Sequence, residues 1–364
     1  MKLTSVLRLT LCAIALTFQL AAQTWRVTGP VPRWAHSAVL DPATSAMVVF
    51  GGQIPGTNDT GHVNLNDVWR LNDNLTWTAL KPTGTPPADR TEHTAVYDSL
   101  NNRMIVFGGA EGNAAPCAND VWVLTSATGI GGTPAWLQLS TSGGPPAPRA
   151  QHGAVYDPNT NTMIVYGGQD CFSTTFGDVW VLSNANGLGG TPTWTQLSPS
   201  GGGPGAREIS GGVAYDPANN RLIVFGGQSS TGVLQDDVWI LSNANGQGGT
   251  PTWTQLFPSG SLPAARTDHA TVYDSTNNRL IVFGGGGNAS LLNDVWVLRN
   301  ANGLGGTPVW RQLGPFSFFA EARAWHTSVY NPTTNKIIIF GGATVVGALA
   351  ATNDAWVLSH ANGK

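Results

Sequence analysis

Arg279-Leu280-Ile281-Val282-Phe283-Gly284-Gly285 is an apolar run stopped by two glycines, and this pattern decides the fold because it recurs along the chain. Double glycines stand at Gly51-Gly52, Gly108-Gly109, Gly167-Gly168, Gly226-Gly227, Gly284-Gly285 and Gly341-Gly342, at steps of 57, 59, 59, 58 and 57 residues. Each follows a run of the same kind, from Met47-Val-Val-Phe50 in the first unit to Ile337-Ile-Ile-Phe340 in the sixth. Self-similarity at such a period means stacked or radially arranged units.

Working outward from Arg279, each of the first five units holds four short strand-type runs, which we call a to d. In the fifth unit Arg266-Thr-Asp-His269 leads into strand a, Ala270-Thr-Val-Tyr-Asp274. Ser275-Thr-Asn-Asn278 has turn chemistry, and Arg279 to Phe283 is strand b. Asn293-Asp-Val-Trp-Val-Leu298 is strand c, and Trp310-Arg-Gln-Leu313 is strand d. Four such runs separated by turn signals predict one antiparallel sheet. Strand b is apolar at consecutive positions, so both of its faces must be covered. Sheets packed face to face around an axis achieve this with only short edges exposed. The expected fold is therefore an all-β, six-bladed propeller. The last unit stops after strand c, and Thr24-Trp25-Arg26-Val27 matches strand d of the fourth unit, Thr252-Trp253-Thr254-Gln255. The N-terminal strand is thus expected to complete the sixth blade, within a single domain over residues 23–364.

The double glycine, the tryptophan of the outer strand and the Arg-x-x-His lead together resemble the kelch repeat over essentially all of residues 24–364. That resemblance implies a binding platform for a carbohydrate or protein ligand. Less often, kelch propellers are enzymes. The six-bladed periplasmic sialic-acid epimerases are of similar size, and the galactose oxidases contain a kelch propeller. The copper chemistry of the latter needs a tyrosine crosslinked to cysteine, and no cysteine here is near a repeat tyrosine in sequence. The resemblance further implies that arginines near the channel mouth bind acidic ligands.

Lys2, Arg8, an apolar stretch over Leu9–Leu20 and Ala21-Ala22 read as a signal peptide over residues 1–22. The expected location is secreted, periplasmic or extracellular, with no membrane span. Removing that segment takes two positive charges from the 18, leaving 16 against 21 acidic residues and a net charge of -5. Such a chain is a poor nucleic-acid binder. Cys117 and Cys171 fall in equivalent loops of consecutive units and are expected to form a disulfide in an oxidising compartment. No cofactor and no metal are expected, and the protein is expected to be a monomer.

Arg33, Arg90, Arg149, Arg207, Arg266 and Arg323 open the units, and Asp67, Asp120, Asp178, Asp237, Asp294 and Asp354 precede the strand-c tryptophans. The arginines are either ligand groups, since a guanidinium meets a carboxylate in two parallel bonds, or structural partners of those aspartates. His36, His93, His152, His269 and His326 share one repeat position, taken in the fourth unit by Ser210, and read as hydrogen-bonding spacers. Between the fixed Arg and His, two positions vary: Trp34-Ala35, Thr91-Glu92, Ala150-Gln151, Glu208-Ile209, Thr267-Asp268 and Ala324-Trp325. Variation inside a fixed frame marks residues that face a ligand. The candidate ligand-binding residues are Arg90, Glu92, Arg149, Arg207, Glu208, Arg266, Asp268, Arg323 and Trp325. Trp34 and Trp325 are candidates for stacking on a sugar face. Glu208 with the adjacent Arg207 is the candidate catalytic pair for proton transfer.

Overall fold

The computed structural model describes residues 29–56, 61–112, 116–314, 320–344 and 350–364. Among them there is no helix, and the strands form six antiparallel blades around a central axis. Blade 3 gives the plan. Strand a (Gly153–Asp157) pairs with b (Thr162–Tyr166), b with c (Val179–Ser183), and c with d (Thr193–Leu197). Every residue of strand b is buried in blades 1 and 3. Blades 1 to 5 each have all four strands, and blade 6 shows a, b and c (Thr327–Asn331, Lys336–Phe340, Ala355–Ser359). The signal peptide and the N-terminal strand Thr24–Val27 lie outside the described residues.

Adjacent blades are joined at three levels. At the core, the tryptophan of strand d packs on the aromatic residue that ends strand b of the preceding blade. Phe50–Trp136, Phe107–Trp194, Tyr166–Trp253, Phe225–Trp310 and Phe340–Trp77 have centroids 4.7–5.4 Å apart. On one end of the propeller, the second asparagine of the Asn-Ala-Asn-Gly loops, and Asn362 of the matching His360-Ala-Asn-Gly segment in blade 6, donates to the aspartate ending strand a of the blade before. Asn186–Asp98, Asn245–Asp157, Asn302–Asp216 and Asn362–Asp274 are all 2.7 Å bonds. These loops are structural, as their near identity implies.

At the other end the double glycine and the arginine interlock. The second glycine's N–H donates to the arginine carbonyl of the next blade, and the contact runs all the way round. It appears as Gly52–Arg90, Gly109–Arg149, Gly168–Arg207, Gly227–Arg266, Gly285–Arg323 and, closing the ring, Gly342–Arg33, at 2.8–2.9 Å. A side chain has no room here. A Cβ on Gly51 would lie 2.9 Å from the Arg90 carbonyl oxygen, and one on Gly52 would lie 2.6 Å from the His36 Cβ. Both glycines also hold positive φ, +63° and +91°, which L side chains adopt at a cost.

Candidate functional site

The six arginines are enclosed. Arg149 shows the arrangement: Nη1 donates to Asp178 Oδ1 at 2.7 Å and to the Gly167 carbonyl at 2.9 Å, and Nη2 donates to Asp178 Oδ2 at 3.0 Å. Arg33–Asp67, Arg90–Asp120, Arg207–Asp237, Arg266–Asp294 and Arg323–Asp354 repeat the pairing at 2.6–2.7 Å. The same aspartates accept from the indole of the strand-c tryptophan, as in Trp180–Asp178 at 2.7 Å. Five of the six arginines are 0% exposed and Arg207 is 3% exposed, so none presents its guanidinium to a ligand. Arg90, Arg149, Arg207, Arg266 and Arg323 are therefore structural: each clips the double glycine of its own blade to strand c. Arg207 is turned toward Asp237 and Gly226 and away from the role of partner to Glu208. Glu111 is absorbed in the same way, by Arg90 at 2.7 Å.

The variable positions sit on the axis. The second residue of each pair takes the left-handed conformation in five blades: Ala35, Glu92, Gln151, Asp268 and Trp325 have φ of 51–56°. Backbone bonds link these residues from blade to blade: Ala35 N–H to Trp325 O, Glu92 to Ala35, Gln151 to Glu92, Ile209 to Gln151 and Trp325 to Asp268, at 2.8–3.0 Å. Behind this ring lies a cavity of about 200 Å³ lined from all six blades, with Glu92, Asp268 and Trp325 in its wall. Glu92, Asp268 and Trp325 thus converge on one cavity, whereas Glu208 is not in its wall. Trp34, by contrast, is 3% exposed and packs with Ala343, so it is core.

The carboxyl groups of this mouth lack cationic partners among the described residues. Burial pushes the Asp268 carboxyl well above the usual range, and the charges of Glu92 and Glu208 push it further. Burial raises Glu92 too, against the hydrogen bond from Gln151 and with the charge of Glu208 adding to it. Glu208, raised by its own burial, is not in the cavity wall, and it pairs through its backbone with Gln228. A side-chain relay orients Glu92: Gln169 Nε2 donates to Gln151 Oε1 at 2.9 Å, and Gln151 Nε2 donates to Glu92 Oε1 at 2.8 Å. Gln169 lies two residues before Cys171, which is bridged to Cys117 with Cα atoms 5.5 Å apart. No group of metal-ligating residues occurs among the described residues.

Blade 4 breaks the pattern, in a way the reading of Ser210 as a plain replacement for histidine missed. From the leading arginine to the strand-a tyrosine there are seven positions in blades 2, 3, 5 and 6 and eight in blade 4 (Arg207 to Tyr215). The extra residue makes a turn at Ser210-Gly211. Ile209, fully buried, enters the space that histidine fills elsewhere: a Cβ on Gly227 would lie 2.8 Å from Ile209 Cδ1, where the other second glycines face a histidine Cβ. The carbonyl of Ile209 is then taken by Gly212 at 2.9 Å, and the axial backbone ring has no link between Ile209 and Asp268. The signal was present as a spacing, visible only when the count starts from the arginine.

The comparisons with known proteins agree with this fold. The KLHDC2/KLHL20/DRC7 kelch-repeats domain matches residues 10–130, 130–299 and 247–364. The chain is 26% identical over 340 residues to an F-box/kelch-repeat protein of Arabidopsis thaliana, covering 86% of this chain and 66% of that protein. It is 30% identical over 313 residues to the leucine-zipper-like transcriptional regulator 1 homolog of Drosophila melanogaster, covering 82% and 28% respectively. It therefore spans less than two thirds of the length of either relative. The solved structure of YjhT superposes with a TM-score of 0.63 at 18% identity, over 91% of this chain and 96% of that one, which is a likeness of fold.

Proposed function

The chain belongs to the kelch-repeat domain family, and from that premise we propose that it is a secreted binding module that takes a carbohydrate in its axial cavity. The observation that carries the reading is the convergence of Glu92, Asp268 and Trp325 on one cavity of about 200 Å³, the scale of a single sugar ring. A carboxyl accepts hydrogen bonds when ionised and also donates one when protonated, which suits a sugar hydroxyl. An indole face suits the C–H face of a pyranose. Ligand pockets pair such apolar surface with a few placed polar groups. The Cys117–Cys171 bridge supports an oxidising compartment, consistent with export. A glycan array read by calorimetry tests the proposal: binding by the wild-type chain that Asp268→Asn and Trp325→Ala both weaken supports it. A chain that binds no glycan and captures a protein ligand instead sinks it.

A protein ligand is favoured by a different observation. Phe172 is 80% exposed on the loop pinned by the disulfide. The enzyme reading narrows. With every leading arginine enclosed and the carboxyls of Glu92 and Asp268 in the cavity wall, an acidic sugar such as sialic acid meets no cation among the described residues of that wall. Proton transfer by Glu92 or Asp268 at the anomeric centre of a neutral sugar is the form of catalysis that this mouth favours. Mutarotation of neutral monosaccharides followed by NMR decides it, and an uncatalysed rate removes the enzyme.

A further inference from the structure

Five histidines occupy equivalent places in the channel wall, but they are not equally satisfied. In three of them Nε2 meets a hydroxyl from strand a, or its lead, in the preceding blade. His93 meets Ser37 at 2.8 Å, His152 meets Thr94 at 2.7 Å, and His36 meets Thr327 at 2.9 Å. The residues in the matching places before His269 and His326 are Gly212 and Ala270, which have no hydroxyl. The Nε2 atoms of His269 and His326 are accordingly buried with no hydrogen-bond partner among the described residues, and so is Ser328 Oγ on strand a of blade 6. His269 and His326 are 1% and 6% exposed, and both line the axial cavity, as Ser328 does. The Nδ1 atoms are unpartnered in all five, so they belong to the repeat and distinguish nothing.

A buried polar atom left without a partner costs about 1–3 kcal/mol, and native structures seldom carry one without a reason. Here three gather in one sector, blades 5 and 6. The same sector holds Asp268 and Trp325 and borders the missing backbone link at Ile209. Serine or threonine at 270 would have removed one defect, as Ser37, Thr94 and Thr327 do elsewhere.

Resting on the carbohydrate reading, we infer that the ligand is held against blades 5 and 6. There its hydroxyl groups take the hydrogen-bond places beside His269 and His326 that Gly212 and Ala270 leave open. The chemistry selects the class. A neutral imidazole offers one N–H and one lone pair, and its tautomer decides which of them is Nε2. A hydroxyl serves either, whereas a carboxylate only accepts and an ammonium only donates. Burial and the neighbouring arginine keep both rings neutral, His326 with its pKa lowered to about 3. Two open places in adjacent blades fit a ligand with at least two hydroxyls, and Asp268 adds a carboxyl beside them.

The test uses the full chain and the methyl glycosides of glucose, galactose, mannose and N-acetylglucosamine, with binding followed by calorimetry and by the imidazole nitrogen resonances. The expected result is that a bound glycoside shifts Nε2 of His269 and His326 and leaves that of His93 and His152 in place. Ala270→Ser, which fills one place with the protein's own hydroxyl, is expected to weaken that glycoside about tenfold and to raise the unfolding midpoint of the free protein. A glycoside that binds while both rings stay unmoved, with Ala270→Ser binding as wild type does, overturns this inference and leaves the carbohydrate reading intact. If none of the glycosides binds, both are overturned.

Discussion

At the residue scale, this molecule uses one side-chain type for structure and another for its mouth, and pH separates them. Asp268 and Glu92 have folded pKa values raised above their unfolded ones. Their contribution to stability is whole below the unfolded carboxyl range of about 4 and is lost as pH rises through the folded values. Asp268→Asn is therefore expected to raise the thermal midpoint at pH 7 and to leave it unchanged at pH 3; equal midpoints at pH 7 would contradict the buried, unpaired carboxyl. The histidines run the other way. His93 and His326 are lowered to about 3, chiefly by burial. Each is neutral in the fold, so its contribution is whole above the unfolded value of about 6.5 and is lost as pH falls toward the folded one. At pH 5 each costs about 2 kcal/mol. Urea unfolding of the wild type and of His93→Gln at pH 7 and pH 5 is expected to show a smaller loss of stability toward pH 5 in the variant, and an equal loss in both would refute the buried neutral imidazole. The five-fold recurrence made the histidines legible as hydrogen-bonding spacers, a part that His36, His93 and His152 play. The missing hydroxyls at 212 and 270 were equally visible in the sequence. Their meaning depends on which blade faces which histidine, which is a tertiary fact.

At the element scale, the unit of construction is the clip made by the leading arginine, the double glycine and the aspartate before strand c. Its parts lie about 30 residues apart in sequence: Arg149 and Asp178, for example, are separated by 29 positions. Removing one partner of a buried pair leaves an uncompensated charge. Arg149→Met is expected to cost about 3–5 kcal/mol of unfolding free energy, and adding Asp178→Asn is expected to recover part of that loss. Equal stabilities of the single and double variants would show that the pair is not coupled. The Cys117–Cys171 bridge joins the loops after the double glycines of blades 2 and 3 across a separation of 54 residues. Replacing both cysteines by serine is expected to cost about 2–4 kcal/mol, read as a lower denaturant midpoint. The strands and the clip were legible because six copies repeat them. The arginines also looked available as ligand groups, because sequence shows that a charge recurs and not which way it points. The blade 4 insertion hides for a similar reason: one extra residue is invisible unless the frame is counted from both sides.

At the scale of the whole molecule, closure joins blade 6 to blade 1 through Gly342 to Arg33 and His36 to Thr327. The outer edge of blade 6 differs from the others. Val357 on strand c is 39% exposed, whereas Val123, Ile240 and Val297 at the same place are 0%, 1% and 2% exposed. Phe283 packs on His326 but on no strand-d tryptophan among the described residues. That the N-terminal strand supplies the fourth strand of blade 6, as expected from the sequence, is tested by truncation. Deleting residues 1–22 is therefore expected to leave the thermal midpoint unchanged, and deleting residues 1–28 to lower it; equal midpoints would count against that expectation. The sequence alone determined the number of blades, the strand order within each and the frame of the variable residues. Those properties follow from hydrophobic period and turn chemistry, which act over a few residues and repeat six times. Only the tertiary structure decided that the arginines face inward to aspartates, that Glu92, Asp268 and Trp325 share a cavity, and that two histidines in adjacent blades lack partners. These depend on how six units meet around an axis, and burial, pairing and pKa are set by neighbours tens of residues away in the chain.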